Sequence, residues 1–273
     1  MKVAFSSLAC PNWPLDLILQ KAKEWGCDGI QLRGLQDEIY LPRHPELSGP
    51  RLRETKAKIA EAGLFVYCLG SSAKLSVPED QWAANADEVK DYIHLAVNLN
   101  CPVVRIYGGR RPDLSWGDYV ALVSERLYRL CRWTDAFPVR LAIETHDALV
   151  RARDLSEILQ RVPLPTPGAV WDVHHSFRAG ESPSESVQFL GSRILDVHIK
   201  DSVPSDGAIR YVPLGKGTVP LTDALVELKK LGYQGPITIE WEKRWVKDLE
   251  EPEVALPEMI ATVKSWLRQV EPS

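Results

Sequence analysis

Four short apolar runs in the second half of the chain end in groups that buried strands normally avoid. "RLAIETH" (140–146) carries Glu144 and His146, and "AVWDVHH" (169–175) carries Asp172, His174 and His175. "ILDVHIKD" (194–201) carries His198 and Lys200, and "PITIEWE" (236–242) carries Glu240 and Glu242. A buried polar group costs free energy unless something pairs with it, so the repetition asks for a common partner. Side chains alternate along a strand, which puts Ala142, Glu144 and His146 on one face. If that face points inward, Glu144, Asp172, His198 and Glu240 converge at one mouth. Three carboxylates packed together repel and cannot all stay ionised without a cation. A divalent metal resolves the conflict. Two Glu, one Asp and one His form a mostly hard-oxygen shell that suits Mn²⁺ first, then Mg²⁺ or Co²⁺, with Zn²⁺ also compatible. Four such ligands leave about two octahedral positions for substrate oxygens. On this reading Asp172 is a ligand, and the histidines after it face the substrate.

The elements that must position these residues follow from periodicity. Four further runs precede them: "KVAFSSL" (2–8), "GIQLRG" (29–34), "LFVYCLGSS" (64–72) and "PVVRIYGG" (102–109). Between the runs lie amphipathic segments, such as "LDLILQKAKEWG" with apolar residues at 15, 18, 19 and 22 on one helical face. Gly26, Gly63, Asn100 and Gly232 read as helix stops. Alternation of strand and helix predicts a parallel sheet with right-handed crossovers. Eight such units predict a single-domain (β/α)8 TIM barrel over residues 1–273. Its active-site face is built from the loops after strands ending near 8, 34, 72, 109, 146, 175, 201 and 242. The long loops around 35–47, 70–80 and 201–216 are expected to form its walls. A doubly wound open sheet is the rival, but no glycine-rich phosphate fingerprint follows the first strand.

Composition narrows the partners. A net charge of −4 gives no reason to expect a polyanionic partner, because phosphate backbones are bound mainly through Lys and Arg. No segment approaches the roughly 18 apolar residues of a membrane span, and the serine-rich start is too short for a signal peptide. Five cysteines without CxxC spacing read as free thiols in a reducing, cytoplasmic compartment and as small core residues.

"LAIETH", "WDVHH", "DVHIKD", "VPLGKGTVP" and "ITIEWE" together resemble the xylose-isomerase-like TIM-barrel superfamily of sugar phosphate isomerases and epimerases. The resemblance spans nearly the whole barrel and is most specific from 140 to 242. It implies one divalent metal on Glu144, Asp172, His198 and Glu240, with Glu144 and Glu240 as acid/base residues. The DxxH pattern implies that His175, rather than His174, stands beside a substrate oxygen. The expected activity is isomerisation or epimerisation of a sugar or ketose by proton transfer alpha to a carbonyl. On the same site, a hydroxyl beta to the carbonyl would turn the outcome to dehydration of a keto-polyol of the inosose or dehydroshikimate type. An apurinic endonuclease is disfavoured, since its extra histidines are missing from strands 2 to 4, and a non-catalytic sugar-binding protein is the remaining rival.

Weaker candidates for substrate contact are Lys200 in "HIKD", His146, Arg210 before "VPLGKG", and Trp13 after the first strand. Arg105 and Tyr107 read as barrel filling, and His44 and His94 as structural. The expected partner is a small-molecule sugar or keto-polyol, with homo-oligomers compatible with this reading.

Overall fold

The computed structural model describes residues 1–111 and 113–270. Eight parallel strands close into a barrel: β1 (Lys2–Ser6), β2 (Gly29–Leu32), β3 (Phe65–Lys74), β4 (Val103–Tyr107), β5 (Arg140–Glu144), β6 (Gly168–Asp172), β7 (Ile194–Ile199) and, after a hairpin, β10 (Pro236–Ile239). Its order is β1-β10-β7-β6-β5-β4-β3-β2, and β1 closes the ring by pairing with both β10 and β2. The crossovers carry α1 (Leu15–Glu24), α2 (Arg51–Glu61), α3 (Glu79–Leu99), α4 (Trp116–Thr134), α5 (Ala152–Arg161), α6 (Val173–Arg178), α7 (Pro183–Leu190) and α8 (Leu221–Leu231), and α9 (Pro252–Val270) follows β10. The expected TIM barrel is therefore the fold.

The helices pack as their apolar stripes dictate: α1 buries Leu15, Ile18, Leu19 and Ala22. Backbone with positive φ at Gly26, Gly63, Asn100 and Gly232 ends the preceding helices, the left-handed stop that glycine and asparagine tolerate. All five cysteines are free and buried. Inside the barrel, Cys68, Val103, Ala142 and Val170 form a separate small apolar cluster that plugs it below the polar layer. Among the described residues no helix is long and apolar enough to cross a membrane.

Most barrel strands stop short of their expected ends. β6 ends at Asp172, and His174 and His175 belong to α6 instead of the strand. Asp172 causes the switch. Its Oδ1 accepts a hydrogen bond from the His175 backbone N–H at 2.8 Å, so the carboxylate caps the helix that follows. The expected wall at 201–216 is ordered as an antiparallel hairpin, β8 (Asp201–Ser205) with β9 (Ala208–Val212). Asp201 anchors its return by accepting from the N–H groups of Gly215, Gly217 and Val219.

Candidate active site

Barrel alternation brings Glu144, Asp172, His198 and Glu240 together at the C-terminal ends of β5, β6, β7 and β10. One donor atom from each lies within 4.8 Å of the others, and all four residues are buried. Each has partners outside this set. Glu144 Oε2 is 3.0 Å from Arg105 Nε, yet neither atom makes an aligned hydrogen bond. The Arg105 guanidinium also lies 4.0 Å from the Tyr107 ring centre, and its Nη1 donates to the Ser71 carbonyl. Asp172 leaves Oδ2 without a hydrogen bond, although Lys200 Nζ stands 2.9 Å away. His198 turns Nδ1 towards Glu240 (3.4 Å) and Glu144 (3.9 Å), again without a hydrogen-bond partner. Its Nε2 meets the Gln31 side-chain amide at 2.6 Å, with Asp196 Oδ2 at 3.7 Å. Asp196 is itself fixed by Thr238 Oγ1 at 2.7 Å.

These orphaned atoms are the test of fit for a cation. Buried polar atoms normally find partners. Here Asp172 Oδ2 and His198 Nδ1 are both buried and unsatisfied, and Glu144 turns Oε1 towards His198 while its Oε2 faces Arg105. Their donor set suits a divalent ion.

In the metal-free protein the neighbouring side chains balance the charge of the cluster. Burial pushes the His198 imidazole down, but Glu240, Asp196 and Glu144 together carry it up to about 9. Burial pushes Glu240 up, and Lys200 and His198 overcome it, holding the carboxyl at about 2. The same contest leaves Asp172 well below its ordinary value, with His175 and Lys200 the leading opponents of burial. Lys200 with His175, and Lys200 with His198, thus hold Asp172 and Glu240 ionised against the cost of burial.

Lys200 is more deeply embedded than a substrate contact at the rim would be. Its ammonium donates to Glu240 Oε2 at 2.5 Å and Glu242 Oε1 at 2.6 Å, and its side chain is 2% exposed. His175 is better placed to face a ligand. Its Nδ1 sits 3.0 Å from the Thr145 carbonyl, which can only accept, so Nδ1 carries the proton and Nε2 is left free. His146 lies beside it, with ring centres 5.0 Å apart and Nδ1 3.3 Å from Asp147 Oδ1. His146, Asp147, Val150, His175 and Arg178 line a cavity of about 280 Å³ next to the cluster. A larger cavity of about 460 Å³ opens by Asp201, Lys216 and Trp266, but the Asp201 carboxylate there is already occupied by backbone N–H groups.

Two candidates are not brought to the cluster. Trp13 is buried in the hydrophobic core against Trp25, with ring centres 6.1 Å apart, so it packs instead of presenting a face to a sugar. Arg210 is exposed on β9, because strand alternation turns its neighbour inward instead. That neighbour is Tyr211, whose ring lies 5.6 Å from His174. His174, held by Ser202 Oγ at 2.9 Å, is buried, and burial lowers it to about 4. Sequence reasoning missed Tyr211, Gln31, Asp196 and Thr145, and it took Arg105 for filling. The inward period of β4 and β7 was the available signal for Arg105 and Asp196. His44 and His94 are structural as expected: His44 Nδ1 accepts from the Glu46 N–H, and His94 packs edge-on against Trp133.

Residues 19–270 match the family described as xylose isomerase-like TIM barrel. The chain belongs to that family. Fructoselysine 3-epimerase of Shigella flexneri is 23% identical over 258 residues, which cover 88% of this chain and 90% of that protein. An uncharacterized protein of Methanocaldococcus jannaschii is 24% identical over 194 residues, 67% of this chain and 64% of that protein. Among solved structures, the probable 3-DHS dehydratase AsbF of Bacillus anthracis superposes with a TM-score of 0.79 at 18% identity, over 97% of this chain and 99% of that one.

Proposed function

We propose that this member of the xylose isomerase-like family is a divalent-metal-dependent isomerase or epimerase of a sugar or ketose, working by proton transfer alpha to a carbonyl. One observation carries the reading: four donors converge within 4.8 Å at the functional end of the barrel, and Asp172 Oδ2 and His198 Nδ1 among them are buried without a hydrogen bond. Glu144, Asp172, His198 and Glu240 would hold the metal, with manganese the expected ion. A divalent cation bound there polarises a carbonyl and offsets negative charge as it develops on oxygen. The epimerase relative supports a sugar substrate.

The chain's own residues supply the proton steps. Glu144 and Glu240 stand at the two ends of the β5-β6-β7-β10 arc, so they can address opposite faces of a carbon held between them. One removes the alpha proton and the other returns one. Glu240 must first be released from Lys200, whose ammonium sits on its Oε2 and lowers the basicity of the carboxylate. A substrate oxygen that draws the ammonium towards itself does this and gains a proton donor in the same movement. His175, through its free Nε2, and His146 would hold further hydroxyls.

Dehydration is the second reading. It is favoured by Lys200, a buried ammonium placed to protonate a departing hydroxyl, and the barrel shared with the dehydratase is compatible with it. Product analysis separates the two, since loss of water creates an enone absorbance. The test of the proposal is Glu240→Gln at saturating metal. Entry of solvent deuterium at the carbon alpha to a turned-over ketose carbonyl, followed by NMR, should fall by about 10²-fold or more. Exchange near the wild-type rate would leave Glu240 without an acid/base role.

A further inference from the structure

Arg33 is anomalous among the buried arginines. Arg105 is paired with Glu144 at 3.0 Å, and Arg126 with Glu79 at 2.6 Å plus the carbonyls of Leu75 and Val77. Arg33, only 7% exposed, has no carboxylate within 4 Å among the described residues. Its Nη2 donates to Ser72 Oγ at 3.0 Å, while Nη1 is buried with no hydrogen-bond partner among the described residues. A buried charge left unpaired is strongly unfavourable, and native structures avoid it unless something else supplies the counter-charge.

The direction of this side chain is fixed by its neighbours. Arg33 follows β2 on the same inward parity as Gln31, which contacts His198 across the barrel. The arm runs past Gly70 of β3. A Cβ at Gly70 would come 2.6 Å from Arg33 Cδ and 2.8 Å from Arg105 Nη2, so the missing side chain leaves room for both guanidinium arms. A third cation approaches from the loop after β10. Arg244 is half-buried, its Nη1 donates to the Gln36 carbonyl, and its Cζ would stand 3.3 Å from a Cβ at Gly34, the residue after Arg33. Burial and the charge of Arg33 both lower Arg244. Asp37 offsets part of the charge on Arg244, whereas Arg33 keeps a buried Nη1 without a hydrogen-bond partner among the described residues, so the Arg33 guanidinium is the group that calls for an anion. A neutral sugar hydroxyl would satisfy a donor but leave the charge uncompensated.

We infer that Arg33, supported by Arg244, binds an anionic oxygen group, a phosphate or a carboxylate, carried by the substrate at the end away from the reacting carbon. The inference deepens the proposed function and rests on it for the word substrate, and it narrows the class to acidic sugars or keto-polyols. Guanidinium suits such groups because two parallel N–H bonds match two oxygens.

The test needs no metal and no turnover, so it can fail independently of the proposed chemistry. Chelator-treated protein is titrated with inorganic phosphate and, separately, with acetate, against sodium chloride of equal ionic strength, reading heat and melting temperature. Wild type should give saturable binding of at least one probe, and which one identifies the group. Arg33→Met should weaken that binding at least tenfold. If that variant does not fold, Arg244→Gln takes its place, with a loss of severalfold expected. No saturable response of wild type to either probe overturns the inference. So does a wild-type response in the folded Arg33→Met protein, or in Arg244→Gln where that variant is the one read.

Discussion

Replacing Lys200 by methionine removes the cation that holds the metal-free cluster together. The ammonium lies 2.9 Å from Asp172 Oδ2, 2.5 Å from Glu240 Oε2 and 2.6 Å from Glu242 Oε1, and it is buried. Methionine fills a similar volume, so the change is mainly one of charge. Removing one partner of a buried ion pair costs about 3–5 kcal/mol, because the other charge is left uncompensated. For a chain of this size each kcal/mol moves the melting temperature by about 2–4 °C, so chelated Lys200→Met should melt roughly 6–20 °C below chelated wild type. Added metal should reverse the order of effects. At an effective dielectric of about 20, a unit charge about 5 Å away contributes roughly 3 kcal/mol per unit of charge, and Lys200 repels the cation that the acids attract. Metal affinity should therefore rise at least tenfold, and saturating manganese should restore most of the lost stability. Differential scanning calorimetry with and without chelator, with a manganese titration, measures both quantities. Equal melting of the two chelated proteins, or a variant that manganese does not rescue, would refute this account of Lys200.

Gly70→Ala should cost about 1–3 kcal/mol in urea unfolding, because the new methyl meets Arg33 Cδ at 2.6 Å and Arg105 Nη2 at 2.8 Å, and both arms are buried. A change under about 0.5 kcal/mol would mean that the arms swing freely. Burial lowers His44, whose neutral Nδ1 accepts from Glu46 N–H. The unfolded chain then binds the proton more readily, so this contribution is present above the ordinary histidine pKa and is lost as pH falls from there through the lowered folded value. His44→Asn, which keeps a capping acceptor, should flatten the fall in unfolding free energy between pH 7 and 5; an unchanged slope would count against it.

Period-two alternation made the four converging residues legible, because Glu144, Asp172, His198 and Glu240 each sit at the end of an apolar run, where a polar side chain has no local explanation. The boundary of β6 was not legible in the same way. Asp172 reads equally as a strand residue and as a helix cap, and only the bond from His175 N–H decides between them. Trp13 and Arg210 failed for a different reason. Position after a barrel strand says that a residue is near the mouth, but it does not say which way the side chain turns. Packing on Trp25 decided the first, and the register of the hairpin decided the second. Arg33 carried no signal in the sequence, since an arginine after a strand is ordinary until its missing partner is seen.

The central claim is that Glu144, Asp172, His198 and Glu240 share one divalent ion, and elemental analysis tests it most directly. Wild-type protein loaded with manganese and freed of excess should retain about one ion per chain and lose it to chelator. Asp172→Ala and His198→Ala, loaded in the same way and checked for folding, should retain almost none. Full metal content in both variants would contradict the site.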